Sequence, residues 1–144
     1  NNLNDTFTKF IESNIYKPKK SVKTISSAMD VGDPSNFIRV VEFFLNDYYR
    51  IKELISAYSF DDSETKNCIK VLSEKYNYIC DPHGAVGYLG VQKHKEKNKH
   101  FNYIFLGTAH FSKFMDEIRD CIKEPISYPK KLNNFCLKME SLIR

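Results

Sequence analysis

The sequence predicts a helix-rich α/β protein, one unit over residues 1–144 with only two or three short strands and no internal boundary. Three observations carry this. Apolar residues recur at helical spacing through most of the chain. The run Tyr103–Leu106, bounded by Asn102 and Gly107, is too short for a helix and reads as a buried strand. No internal repeat or low-complexity tract divides the chain. With 144 residues there is enough length for one real core, and 42% hydrophobic residues argue against disorder.

The elements follow in order. Asp5–Ser13 places Phe7, Phe10 and Ile11 on one helical face, with Asp5 as the N-cap. Tyr16–Lys23, with Pro18 and several lysines, is an exposed connector, and Thr24–Ser27 is a short extended piece. Asp33 as N-cap and Pro34 in the first helical position start a long helix predicted over Pro34–Ala57. Its apolar stripe runs from Phe37 to Ile55. Asp61–Tyr76 is a second amphipathic helix whose acidic opening suits the positive helix end. Asn77–Cys80 is β-leaning. Asp81 then caps a helix that begins at Pro82 and gives way to a charged loop over Lys93–His100. Gly84, Gly87 and Gly90 in that helix signal either close packing or close approach of a ligand, and packing is the simpler reading. After the predicted strand, Gly107–His110 turns into a helix from Phe111 to about Lys123. A final helix is expected over Lys131–Arg144. Two short strands do not make a stable sheet alone, which points to a piece of something larger.

Charge and cysteine content bound the function. Net charge is +4, with 22 basic residues spread among 18 acidic ones. A nucleic-acid surface needs a denser and more one-sided stripe, so no nucleic-acid partner is expected. No apolar run approaches a membrane span. Cys68, Cys80, Cys121 and Cys136 form no C-x-x-C pair, and nothing resembles a signal peptide, so reduced thiols in a cytoplasmic protein are expected. Cys80 and His83 lack the second ligand pair that zinc needs, so no metal is expected.

Two local arrangements are candidate sites. Small polar side chains at the carboxyl end of a strand are where open α/β sheets bind ligands, which singles out Thr108 and His110. The competing reading is an ordinary turn with Thr108 as a helix cap. Ser35, Asn36 and Arg39 lie in the first turns of the long helix, where backbone N–H groups attract anions. A capped helix start with an exposed arginine explains the same residues.

Distant segments, taken together, carry a resemblance. TISSAMDVGDPSNFIR (Thr24–Arg39) and FLGTAHFSKF (Phe105–Phe114) resemble segments near the C-terminus of threonine synthase. DPHGAVGY (Asp81–Tyr88) resembles a third segment lying between them in the same order, and NDTFTKFI (Asn4–Ile11) one just upstream. The resemblance covers essentially the whole chain. It implies the C-terminal part of a fold type II pyridoxal-phosphate enzyme, of the tryptophan synthase β-chain group. It also implies a lyase of threonine biosynthesis that converts O-phosphohomoserine and water to threonine and phosphate. That family holds its pyridoxal 5'-phosphate as a Schiff base on a lysine in the N-terminal half, and a glycine- and asparagine-rich loop holds the cofactor phosphate. Neither segment is recognisable here, so no catalytic lysine is assigned, and the chain alone is expected to be inactive.

By the same resemblance Thr108, in GTAH, faces the pyridine nitrogen of the cofactor. His110 and Lys113 orient the turn or neutralise substrate phosphate, while Ser35, Asn36 and Arg39 shape the substrate side. The chain departs from the family in two places. Phe111-Ser112 stands where Pro-Ala is common, which loosens the helix start at Phe111. Ile38 stands where Glu is common, which removes a charge beside Arg39.

Other functions remain open: a threonine-synthase-like protein with another phosphorylated substrate or no catalysis, and a basic binding module. The first residue is Asn, so a processed product, a domain or a proteolytic fragment all fit. Apolar surface around Ile104 and on the long helix is expected to be exposed, and self-association through it is expected to follow.

Overall fold

The computed structural model describes residues 1–123, 125–130 and 132. The expected helix over Lys131–Arg144 lies almost wholly outside the described residues. Helix α1 (Thr6–Ser13) turns Phe10 fully inward. The Phe10 ring meets Phe37 edge-on at 4.7 Å and Tyr48 at 5.6 Å, and Tyr16 stacks on Phe37 at 3.8 Å. Offset and edge-on aromatic pairs add to the burial of their large apolar area. Around Phe10 this joins α1 to α2 (Phe37–Phe43) and α3 (Tyr48–Leu54), which bury Val41 and Ile51.

The long helix predicted over Pro34–Ala57 is therefore two helices. Leu45 and Asn46 take left-handed backbone angles, with φ of 52° and 61°. Asn tolerates that conformation, and Asp47 restarts the chain by accepting a hydrogen bond from Arg50 N–H at 3.1 Å. The start also differs. Asp33 accepts a hydrogen bond from the Tyr16 hydroxyl at 2.7 Å instead of capping, and Asn36 holds the cap position without a side-chain bond.

A second group forms around α4 (Asp62–Tyr76), α5 (Pro82–Lys97) and α6 (Met115–Arg119). Cys68, Ile69, Leu72, Cys80, Ala85, Ile118 and Cys121 make its core. Fully burying a side chain such as Ile69 or Ile118 contributes about 1.5–3 kcal/mol. The caps set the helix starts as the sequence indicates. The Asp61 carboxylate accepts Glu64 N–H at 2.8 Å and the Glu64 carboxylate accepts Asp61 N–H at 2.9 Å, forming a capping box. Asp81 accepts from the N–H groups of His83 and Gly84, with Pro82 in the first position. Helix α5 runs on to Lys97, so the expected loop over Lys93–His100 is half helical. Lys93 and Glu96, at 3.1 Å, lie on that added turn.

The expected strands do not form among the described residues. Tyr103–Leu106 is non-helical and lacks a ladder, since among the described residues no segment supplies the partner backbone that a strand needs. Its side chains still alternate. Phe105 turns in against Tyr88 at 5.5 Å between ring centres, while Ile104 and Leu106 are 86% and 77% exposed. The segment is thus half-buried, where a buried strand was expected. Thr24–Ser27 ends in a 3₁₀ turn (Ser27–Met29), and Asn77–Cys80 is irregular. The helix expected from Phe111 opens as a second 3₁₀ turn (Phe111–Phe114) and is α-helical only in α6.

Candidate functional site

The AMDVG stretch is fixed by a buried polar network. Asp30 accepts hydrogen bonds from Asn2 Nδ2, Asn4 Nδ2, Thr24 N–H and Thr24 Oγ1 at 2.7–3.0 Å. Asn2 also bonds Thr24 Oγ1 at 2.7 Å and Ser26 Oγ at 3.0 Å. Burying so many amides and hydroxyls is tolerable only because each finds a partner, and among the described residues no buried side-chain polar atom is orphaned. This network was missed at the sequence level. The signal was there in Asn2 and Asn4, apolar-poor positions directly ahead of an apolar helix face.

Gly32 follows in the same segment. Its N–H bonds Ser21 Oγ at 3.0 Å, and its carbonyl accepts from Thr6 Oγ1 at 2.7 Å and Lys19 N–H at 3.1 Å. A Cβ here would fall onto the Lys19 carbonyl, 2.9 Å from its carbon. The connector Tyr16–Lys23 is thereby held against the motif. Lys19 reaches on to the Asp5 carboxylate and, at 2.7 Å, to the Leu3 carbonyl. Burial raises the Asp5 carboxyl, but the hydrogen bonds and charges of Lys19 and Lys9 outweigh it and hold the group below its ordinary value.

Two clefts flank this platform. The smaller, about 480 Å³, is lined by Pro34, Ser35, Asn36, Phe37 and Met29. The structure thus brings Ser35 and Asn36 together with the AMDVG turn. Arg39 is exposed and lies outside that lining. The larger cleft, about 900 Å³, lies between the Met29 turn, the end of α3 and the face of α5 that carries His83, Gly87 and Gly90. Of the three glycines only Gly84 is closely packed, where a Cβ would sit 2.8 Å from Cys80 Sγ. Gly87 and Gly90 face open space, so packing does not explain them.

Thr108, His110 and Lys113 are exposed on the opposite turn and line neither cleft. The cap of that turn belongs to His110, whose Nδ1 accepts Ser112 N–H at 3.2 Å and lies 2.8 Å from Ser112 Oγ. The Thr108 side chain is not used as the cap.

His83 sits between the Ser27–Met29 turn and the Phe111–Phe114 turn. Asp81 Oδ1 lies 3.0 Å from its Nδ1, and Ala28 N–H donates to its Nε2 at 3.0 Å. Its ring packs on Phe114 with centres 4.8 Å apart. Both ring nitrogens are engaged, which explains His83 without a metal. Cys80 beside it is buried, and burial, helped by the Asp81 and Cys68 charges, pushes its thiol up to about 12. Burial alone pushes Cys68 up to about 11. Such thiols stay protonated at neutral pH and pack as small apolar groups. Among the described residues no group of three His, Cys, Asp or Glu is placed to hold a metal, and no helix is long and apolar enough to cross a membrane.

Comparison with known proteins gives these fragments one context. No protein-family model matches the chain. Over 133 residues it is 40% identical to threonine synthase of Buchnera aphidicola subsp. Schizaphis graminum, covering 92% of this chain and 30% of the relative. Over 131 residues it is 35% identical to threonine synthase of Escherichia coli, covering 91% of this chain and 30% of the relative. Among solved structures, Escherichia coli threonine synthase superposes with a TM-score of 0.81 at 35% identity, over 92% of this chain and 30% of that one. A pyridoxal-phosphate-bound threonine synthase from Brucella melitensis gives 0.70 at 25% identity, over 91% of this chain and 33% of that one. The chain spans about 30% of the length of the curated relatives it matches. Over nearly all of its length the chain is similar, in sequence and in fold, to a portion of the threonine synthases.

Proposed function

We propose that this chain forms one wall of the active site of a pyridoxal-phosphate-dependent threonine synthase, acting on O-phosphohomoserine and water to give threonine and phosphate. The observation that carries the reading is the Gly107–Phe114 turn. It holds an exposed Thr108 hydroxyl that is not spent on capping, in a stretch without a carboxylate. That donor set fits pyridoxal phosphate. A neutral hydroxyl hydrogen-bonds the pyridine nitrogen without forcing its protonation, whereas a carboxylate would favour the pyridinium. When bound, the cofactor supplies an electron sink for a carbanion on the substrate.

The chain's own residues have the following roles. Thr108 would hold the pyridine nitrogen by a hydrogen bond from its hydroxyl. His110 holds the turn by taking Ser112 N–H, and Lys113 adds a positive charge beside it. Ser35 and Asn36, gathered with Met29 around the smaller cleft, give the substrate side hydrogen-bonding groups. Arg39 is available to the substrate phosphate as a charge-assisted donor. The lysine and phosphate cradle that such an enzyme needs belong to the rest of the polypeptide, and the 144 residues alone are inactive on this reading.

The test is an assay of the full-length gene product with O-phosphohomoserine, following phosphate and threonine together. Equal release of both supports the assignment. Absence of threonine sinks it, and preferential turnover of a different phosphorylated hydroxy-amino acid moves the chain to a relative of the enzyme. Salt-sensitive binding of DNA or RNA by an inactive full-length protein would point to the basic binding module instead.

A further inference from the structure

We propose that His83 is a positioning residue that holds the Ser27–Met29 turn and the Phe111–Phe114 turn in register across the start of α5; its kinetic consequence rests on the function proposed above. The geometry is a chain of contacts through one side chain. Asp81 is 3% exposed and serves as the α5 N-cap, so its carboxylate is fixed by the N–H groups of His83 and Gly84 before it meets the ring. It accepts from His83 Nδ1 at 3.0 Å, which fixes the ring orientation and leaves Nε2 with a lone pair. That lone pair receives Ala28 N–H at 3.0 Å.

Ala28 lies two residues before Asp30, the hub of the buried network, and Met29 lines both clefts. On the other side the imidazole rests against Phe114, the last residue of the turn that follows Thr108 and His110. The His83 side chain is only 9% exposed, so its position is set by these partners and not by solvent. One imidazole therefore spaces the segment leading to Ser35 and Asn36 from the segment carrying Thr108.

Two substitutions separate this role from simple packing. The side-chain amide of His83→Gln reaches the place of Nε2 and offers an oxygen to Ala28 N–H. The shorter His83→Asn reaches only the place of Nδ1. The experiment uses the full-length protein. Hydrogen exchange at the Ala28 amide is measured together with kcat and KM for O-phosphohomoserine. His83→Asn is expected to speed Ala28 exchange roughly tenfold, the worth of one lost hydrogen bond. It should also raise KM more than it lowers kcat. His83→Gln is expected to return both toward wild type. Equal behaviour of the two variants, or an Ala28 amide indifferent to both, overturns the proposal. Should His83→Asn not fold, an unprotected Ala28 amide in His83→Gln overturns it equally. A wild-type protein that makes no threonine removes the functional reading, while the exchange measurement still decides the role of His83.

Discussion

Whether a turn hydroxyl caps a helix or faces a ligand is decided by which neighbour takes the first free amide. Here His110 takes Ser112 N–H, so Thr108 is not needed as the cap. In the full-length protein, Thr108→Val should keep the fold, judged by an unchanged circular dichroism spectrum. It should lose turnover by roughly tenfold or more, the value of about 1.4 kcal/mol at the transition state. A near-wild-type rate would remove Thr108 from the site. For Arg39→Ala the expected result is a KM for O-phosphohomoserine raised more than kcat is lowered, since an exposed charge near a substrate contributes mainly to binding. An unchanged KM counts against it. At this scale the sequence was informative about residue types and poor about partners. GTAH could be read for Thr108, but that His110 would be the cap depends on the 3₁₀ geometry of Phe111–Phe114. His83 stood out only as a weak metal candidate, because its true partner, Ala28 N–H, is 55 residues away.

Elements with strong local chemistry were legible. The Asp61–Glu64 capping box and the Asp81-Pro82 start are short-range hydrogen bonding, and the helices begin where those residues say. The break in the long helix was not read, although Asn46-Asp47 in the middle of the apolar stripe is a stop-and-restart pair. A wide stripe outweighed it in the periodicity argument. The expected short strands are absent from the described residues for another reason. A strand is completed by backbone from elsewhere, and Tyr103–Leu106 has the right alternation with no paired strand beside it among the described residues. Gly32 gives an element-level prediction. Gly32→Ala must push the Lys19 carbonyl aside and with it the connector that Lys19 pins to Asp5. A loss of about 3 kcal/mol in unfolding free energy is expected, in the upper range for overpacking, measured by denaturant titration. A change below about 0.5 kcal/mol, as for an ordinary surface substitution, would show that the connector shifts freely.

Across the whole molecule, apolar side chains are left facing outward in more than one place. Phe43, Tyr49, Leu54, Phe101, Ile104 and Leu106 are all more than half exposed. Scattered apolar residues are ordinary on protein surfaces. Ile104 and Leu106 differ in standing side by side on one half-buried extended segment. The 144-residue chain is expected to self-associate with rising concentration, and replacing both residues by lysine should reduce this. Light scattering of the two proteins at matched concentrations checks it, and a monodisperse monomer of the unaltered chain rules it out.

The bend at Leu45 offers a lever for engineering. There a left-handed backbone and an exposed apolar side chain meet at one residue: Leu45 has a φ of 52° and is 84% exposed. Leucine in that conformation costs about 1–2 kcal/mol that glycine does not incur. Leu45→Gly should therefore raise the midpoint of thermal unfolding while making the surface more soluble, an uncommon case where one exchange improves both properties. Scanning calorimetry would show the gain, and a lowered midpoint would mean that the leucine is held there by contacts of its own.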